Sequence, residues 1–319
     1  MPDPFRGHHA DAADSATAGA LYAADAAEVV QAAAEGPGGV CAFICESVLG
    51  CGGQLVLPDG YLAAVYDTCV CMGVLRSCLA EHPFPTPALC SPLFSPPPPC
   101  SVRSVGGVCI ADEVQVGFGR TGSHMWGFEM AGVVPDIVAL GKPIGNGHPM
   151  AAVVTTPAIA ASFANGMEYF STFGGNPTSC AVGDAVLGVI EDEGLQAHAA
   201  RVGAVLMARL AEIGRNYPGC VGDVRGVGLF VGLEIVDASV VDGRGLPAPN
   251  PAAAAYIKQR MCDKGVLLST DGPHNNVLKI KPPLVFDEGN AAELADALCE
   301  CLEEMAADGF SLPPTRREH

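Results

Sequence analysis

The stretch Ile110-Ala-Asp-Glu-Val-Gln-Val-Gly-Phe-Gly-Arg-Thr-Gly122 decides the fold, together with Asp136-Ile-Val-Ala-Leu-Gly-Lys-Pro-Ile-Gly-Asn-Gly-His148. Val105 to Ile110 is small and apolar, the pattern of a strand buried on both faces. It runs into two carboxylates, Asp112 and Glu113, at its carboxyl edge. In open α/β sheets that edge is where ligands sit. The second stretch repeats the arrangement: a short apolar strand, Ile137 to Leu140, followed by Gly141-Lys142 and a glycine-rich turn. An Asp and a Lys thus stand at the mouths of two strands.

That pair suits pyridoxal phosphate. The Lys forms the Schiff base, and the Asp keeps the pyridine nitrogen protonated. With Tyr169-Phe-Ser-Thr-Phe-Gly-Gly-Asn-Pro177, the two stretches resemble the core of a class III, fold type I, pyridoxal phosphate-dependent aminotransferase. Within that family the wording is similar to the ethanolamine-phosphate and phosphohydroxylysine phospho-lyase branch. The details are the run from Ala111 to Arg120, Gly145-Asn-Gly-His-Pro149 after the Lys, and Lys279-Ile-Lys-Pro-Pro283. The resemblance spans nearly the whole chain except residues 69–101.

The resemblance implies an α/β fold: an incomplete three-layer αβα large domain over residues 1–190, and a small α+β C-terminal domain over 191–319. It implies Lys142 as the catalytic Schiff-base lysine and Asp112 as the pyridine partner. Gln115 is similar to a family residue near the ring hydroxyl. Thr172 resembles a Thr that reaches the phosphate of a neighbouring subunit's cofactor, which implies a homodimer with a shared site. Glu46, at a strand end, helps shape the family's site. Cys51 stands where glutamate-using aminotransferases often carry Glu, which favours the phospho-lyase branch. Arg225 either binds a substrate anion or pairs within the small domain. Lys279 and Lys281, two apart on a strand, point the same way and meet either a phosphate or solvent. Pro2-Asp-Pro-Phe-Arg6 corresponds to a segment well inside the family's large domain, so the chain is expected to lack an N-terminal part with a Gly-Ser phosphate loop.

Bulk properties bound the alternatives. The 319 residues carry 17 Lys and Arg against 35 Asp and Glu, a net charge of -18. That balance argues against nucleic acid or an anionic membrane as partner. No apolar run is long enough for a membrane span. Met1 to Arg6 is neither a signal peptide nor an Arg-rich transit peptide, which leaves location open between cytoplasm and mitochondrion. No metal-ligand set is visible in the spacing. Cys299 and Cys301 are two apart on a helix and do not face each other, and His124 and His148 stand alone.

Residues 69–101 interrupt the pattern. They hold 8 of the 26 prolines and five of the 14 cysteines, and they close on Pro96 to Pro99, Cys100 and Ser101. One reading is a surface loop. The other is a translated intron, because four CCN codons followed by TGC-AGN spell a pyrimidine tract and a terminal AG; the segment is then expected to be disordered. Functionally, the chain reads as a phospho-lyase that eliminates phosphate from a small phosphorylated amine. The alternatives are a transaminase passing an amino group to a keto acid, and a catalytically silent fragment.

Overall fold

The computed structural model describes residues 2–66 and 101–307. The insert expected at residues 69–101 lies outside them, Ser101 excepted.

Helix α1 (Ser15–Glu35) starts where Asp14 turns its carboxylate back to accept the Thr17 N–H at 2.7 Å. Its Ala-rich body buries Ala18, Tyr22 and Ala23 against the short helix α2 (Tyr61–Tyr66). Between them lie strand β1 (Ala42–Glu46) and a small hairpin, β2 (Val48–Leu49) with β3 (Leu55–Val56). Strand β4 covers Val108–Asp112. The expected start at Val105 is corrected: Arg103–Val105 closes a 3-10 turn, and Gly106 at φ +87° redirects the chain before the strand begins. Strand β5 (Ile137–Leu140) stands as expected, and β6 (Ala152–Thr155) follows.

These form a four-stranded sheet in the order β1-β4-β5-β6, the first three parallel and β6 antiparallel. The register pairs Glu46 with Asp112, and Asp112 with Ala139. The carboxyl ends of three parallel strands therefore open on one edge. Helix α3 (Pro157–Phe163) and helix α4 (Pro177–Asp192) come next. Helix α4 is capped by Asn176, whose side chain accepts the Ser179 N–H at 2.9 Å. Pro177 already occupies the first helical turn, where its missing N–H costs nothing.

Helix α5 (Leu195–Asn216) leads into the second sheet. Its strands are β7 (Val221–Val227), β8 (Phe230–Val241), β9 (Pro247–Pro249), β10 (Ser269–Asp271) and β11 (Val277–Ile280). They are antiparallel in the order β10-β11-β8-β7, with β9 on β8. Helices α6 (Pro251–Asp263) and α7 (Glu288–Ala307) join α5 over this sheet. Leu206, Leu210, Leu233, Ile257 and Leu298 are fully buried there, each contributing roughly 1.5–3 kcal/mol. Among the described residues no helix is long and apolar enough to cross a membrane.

The two sheets are joined through the turn that follows β4. The Leu229 N–H donates to the Arg120 carbonyl at 3.0 Å. The Arg120 guanidinium donates to the carbonyls of Leu229 at 3.0 Å and Pro282 at 2.7 Å. Burial pulls that guanidinium down to about 10. Gly228 sits at φ +54°, where a Cβ would lie 2.4 Å from the Arg120 carbonyl oxygen. Only a bare backbone admits this approach.

Candidate active site

Side chains alternate along a strand, so the two carboxylates that end β4 part company. Asp112 is half-buried and accepts the Val114 N–H at 3.0 Å. Glu113 turns inward and is fully buried. It accepts the Ser47 hydroxyl at 2.5 Å and the N–H groups of Gly127 and Phe128 at 2.8 and 2.9 Å. Burial pushes its carboxyl above the usual range, and those three donors oppose the shift. Glu113 thus ties the Gly127 turn down over the strand end. Trp126 lies beside it, packed edge-on against Phe118 at 5.1 Å.

Glu46 ends β1 level with Asp112 and accepts the Gly50 N–H at 2.9 Å. Gly50 fits closely: a Cβ there would lie 2.8 Å from a Glu46 carboxylate oxygen and 3.0 Å from the Gln115 amide nitrogen. The Gln115 side chain also lies 3.8 Å from the Cys51 sulfur. Glu46, Gly50, Cys51 and Gln115 therefore form one wall beside Asp112.

Lys142 opens the 3-10 turn Lys142–Gly145 that follows β5. Its side chain is exposed and its φ is +41°. A residue with a Cβ in that region carries strain of order 1–3 kcal/mol, and such strain gathers at functional sites. Gly141 before it packs on Val114, which would lie 3.3 Å from a Cβ.

The second sheet brings more cations to this mouth. The Lys281 amine donates to the Gln115 side-chain oxygen at 3.0 Å, across 166 positions of chain. Burial first, then the charges of Arg120, Lys279 and Lys142, push the Lys281 amine down to about 8. Lys279 pairs with Asp271 at 2.6 Å. Neither lysine simply faces solvent. The approach of Lys281 to Gln115 carries no signal in local spacing, and Arg120, without a role in the sequence reading, is part of the same cationic field.

Arg225 is paired within the protein, the second of the two readings offered by its sequence. It holds Asp223 at 2.8 Å, Glu234 at 2.6 Å and the Gly53 carbonyl at 2.7 Å. Arg6 shares Glu234 with it. Thr172 lies on an exposed loop before α4, and no hydrogen bond among the described residues ties it to the Asp112–Gln115 turn.

Known proteins are similar to this chain. The family described as aminotransferase class-III matches residues 103–302. A Drosophila melanogaster protein named alanine–glyoxylate aminotransferase 2-like is 45% identical over 304 residues, covering 94% of this chain and 54% of its own length. A Caenorhabditis elegans protein named ethanolamine-phosphate phospho-lyase homolog 1 is 36% identical over 313 residues, 95% of this chain and 59% of its own. Among solved structures, a phospholyase from Arthrobacter in complex with phosphoethanolamine is similar at TM-score 0.75 and 36% identity, covering 98% of this chain and 63% of that one. A transaminase with L-alanine is similar at TM-score 0.72 and 26% identity, covering 97% and 60%. The chain thus spans little more than half the length of the curated relatives quoted. The strand-end acid, the strained lysine turn and these likenesses agree, and the chain belongs to the class III aminotransferase family, pyridoxal phosphate enzymes built on the fold type I scaffold.

Proposed function

We propose that this chain carries the catalytic core of a phospho-lyase, which releases phosphate from a small phosphorylated amine such as phosphoethanolamine. The observation that carries the reading is the cationic field at the sheet edge. Arg120, Lys279 and Lys142 each act on the half-buried Lys281 there, opposed by Asp271, and Lys281 reaches the Gln115 side chain at 3.0 Å, in a chain whose net charge is -18. A phosphate monoester carries roughly two negative charges at neutral pH, and such a field suits it.

The donor set fits pyridoxal phosphate. Asp112 supplies a carboxylate for the pyridine nitrogen, Lys142 an amine on the neighbouring strand end, and Gln115 an amide beside Asp112. The Asp112 carboxylate would favour a protonated pyridine nitrogen. When bound, the cofactor would supply an electron sink for the carbon next to the substrate amine. Lys142 Nζ would take the proton from that carbon. Lys281 and Lys279 hold the phosphate as its C–O bond breaks and it leaves with the electron pair. Water then converts the remaining enamine to aldehyde and ammonia. Glu46 shapes the wall beside Asp112, and Arg225 orients the Gly53 loop. Thr172 reaches the site of a second copy, so the working unit is a homodimer. The division into a large domain to residue 190 and a small one from 191 belongs to the same reading.

The second reading is transamination, favoured by the likeness to a transaminase with L-alanine. The test is phosphate release from phosphoethanolamine by the cofactor-loaded chain without any keto acid. Release supports the lyase. Turnover that requires an added keto acid and frees no phosphate supports the transaminase. A chain that binds the cofactor but turns over neither substrate is the silent fragment.

A further inference from the structure

A second cluster lies outside this site. Its spacing conceals it, because Asp25 is distant in sequence from His8 and His9. Helix α1 brings the three together. Both imidazoles face one carboxylate oxygen of Asp25, His8 Nε2 at 2.6 Å and His9 Nε2 at 3.0 Å. All three ligand atoms lie within 4.8 Å of one another. Spacing along the sequence shows no metal set; the fold brings these three ligand-type groups together.

The loop that carries the histidines is built rather than loose. The Asp3 side chain accepts the N–H groups of Phe5 and Arg6 at 2.8 and 2.9 Å. The Tyr22 hydroxyl donates to the Asp3 carbonyl at 3.1 Å and accepts the His9 N–H at 3.3 Å. Both imidazoles pack edge-on against the Tyr22 ring, with centroids at 5.1 and 4.8 Å. Tyr22 and Asp25 are three apart on α1 and share a face. The residue that orients the rings and the one that faces their nitrogens thus belong to one rigid element.

We propose that His8, His9 and Asp25 form a binding site for a zinc-class divalent cation. Two neutral imidazoles and a carboxylate are a donor set that late first-row ions accept, whereas magnesium and calcium prefer all-oxygen shells. Zinc bonds of about 2.0–2.1 Å in tetrahedral geometry place ligand atoms roughly 3.3 Å apart. The present separations, 2.6 and 3.0 Å from Asp25 to the two imidazoles, lie near that value. His8 is 61% and Asp25 46% exposed, which gives an entry path and leaves a fourth position to solvent. A bound ion would clip the Arg6 loop to α1. Arg6 in turn pairs with Glu234, the partner of Arg225.

The test uses the whole chain, expressed without a histidine tag and stripped with a chelator. Cobalt titration is expected to give visible d–d bands that saturate at one ion per chain, and zinc is expected to displace them. His8→Ala and Asp25→Asn are each expected to weaken zinc binding by at least about tenfold, the loss that even outer-shell changes bring. Cys41→Ser, at an exposed free thiol, is expected to leave it unchanged. Zinc is also expected to slow amide exchange over residues 5–12 in the parent and not in His8→Ala. Should Asp25→Asn fail to fold, the exposed His8 position decides alone. Absence of saturable binding, or equal affinity in parent and His8→Ala, overturns the site.

Discussion

Lys142 combines an exposed amine with a backbone held at φ +41°. The Lys142→Ala variant is expected to bind cofactor only reversibly, so borohydride will fix no absorbance to the chain, whereas the parent will lose its yellow colour on reduction and keep near-ultraviolet pyridoxyl absorbance through denaturation. Lys281 is the second residue with a measurable signature. Its amine sits at about 8 because burial and neighbouring cations disfavour the charged form. Below that value the charge is present and can hold a phosphate. As pH rises through it the charge is lost. KM for a phosphorylated amine is expected to be flat between about pH 7, where the phosphate is doubly charged, and pH 8, and to rise by about tenfold per pH unit above that. Lys281→Met should raise KM at neutral pH and flatten that rise; an unchanged profile would remove Lys281 from substrate binding.

At the scale of elements, the joints between helices, strands and turns are made by bare backbone. A Cβ at Gly203 on α5 would lie 2.4 Å from the Gly228 carbonyl oxygen, and one at Gly228 equally close to the Arg120 carbonyl. Gly228→Ala is expected to destabilise the chain by at least about 1–3 kcal/mol, since neither neighbour is a flexible side chain. Gly188 is the contrast. It lies inside α4 with nothing within 4 Å of a Cβ. Gly188→Ala should stabilise by about 1 kcal/mol through helix propensity. Denaturant midpoints of the two variants should move in opposite directions. The sequence reading located β5 because its apolar run is local. It misplaced the start of β4, where Gly106 at φ +87° acts through backbone conformation, which hydrophobic pattern does not record.

At the scale of the whole molecule, the loop that carries Thr172 and the neighbouring sheet edge present large apolar groups to solvent. Val153 is 69%, Tyr169 75%, Phe170 77% and Phe173 81% exposed. Such patches mark association surfaces. The cofactor-loaded chain is expected to sediment as a dimer, and Phe173→Glu to shift it toward monomer with loss of turnover. A parent that sediments as an active monomer would remove Thr172 from the site.

The sequence by itself determined what depends on neighbours along the chain. Asp112 and Lys142 at two strand ends, with the family-like wording around them, pointed to the fold class and the cofactor chemistry, because strand-end position is written in consecutive residues; burial on both faces was not met, since β4 alternates buried and half-buried residues and β5 is mostly half-buried. Tertiary structure decided what depends on distant segments meeting. It brought Lys281 to Gln115, committed Arg225 to Glu234 and Gly53, and set Asp25 against His8 and His9. Each of these contacts follows from how one packed face docks on another. Docking is fixed by the shape and burial of whole cores, and no short stretch of sequence carries that information.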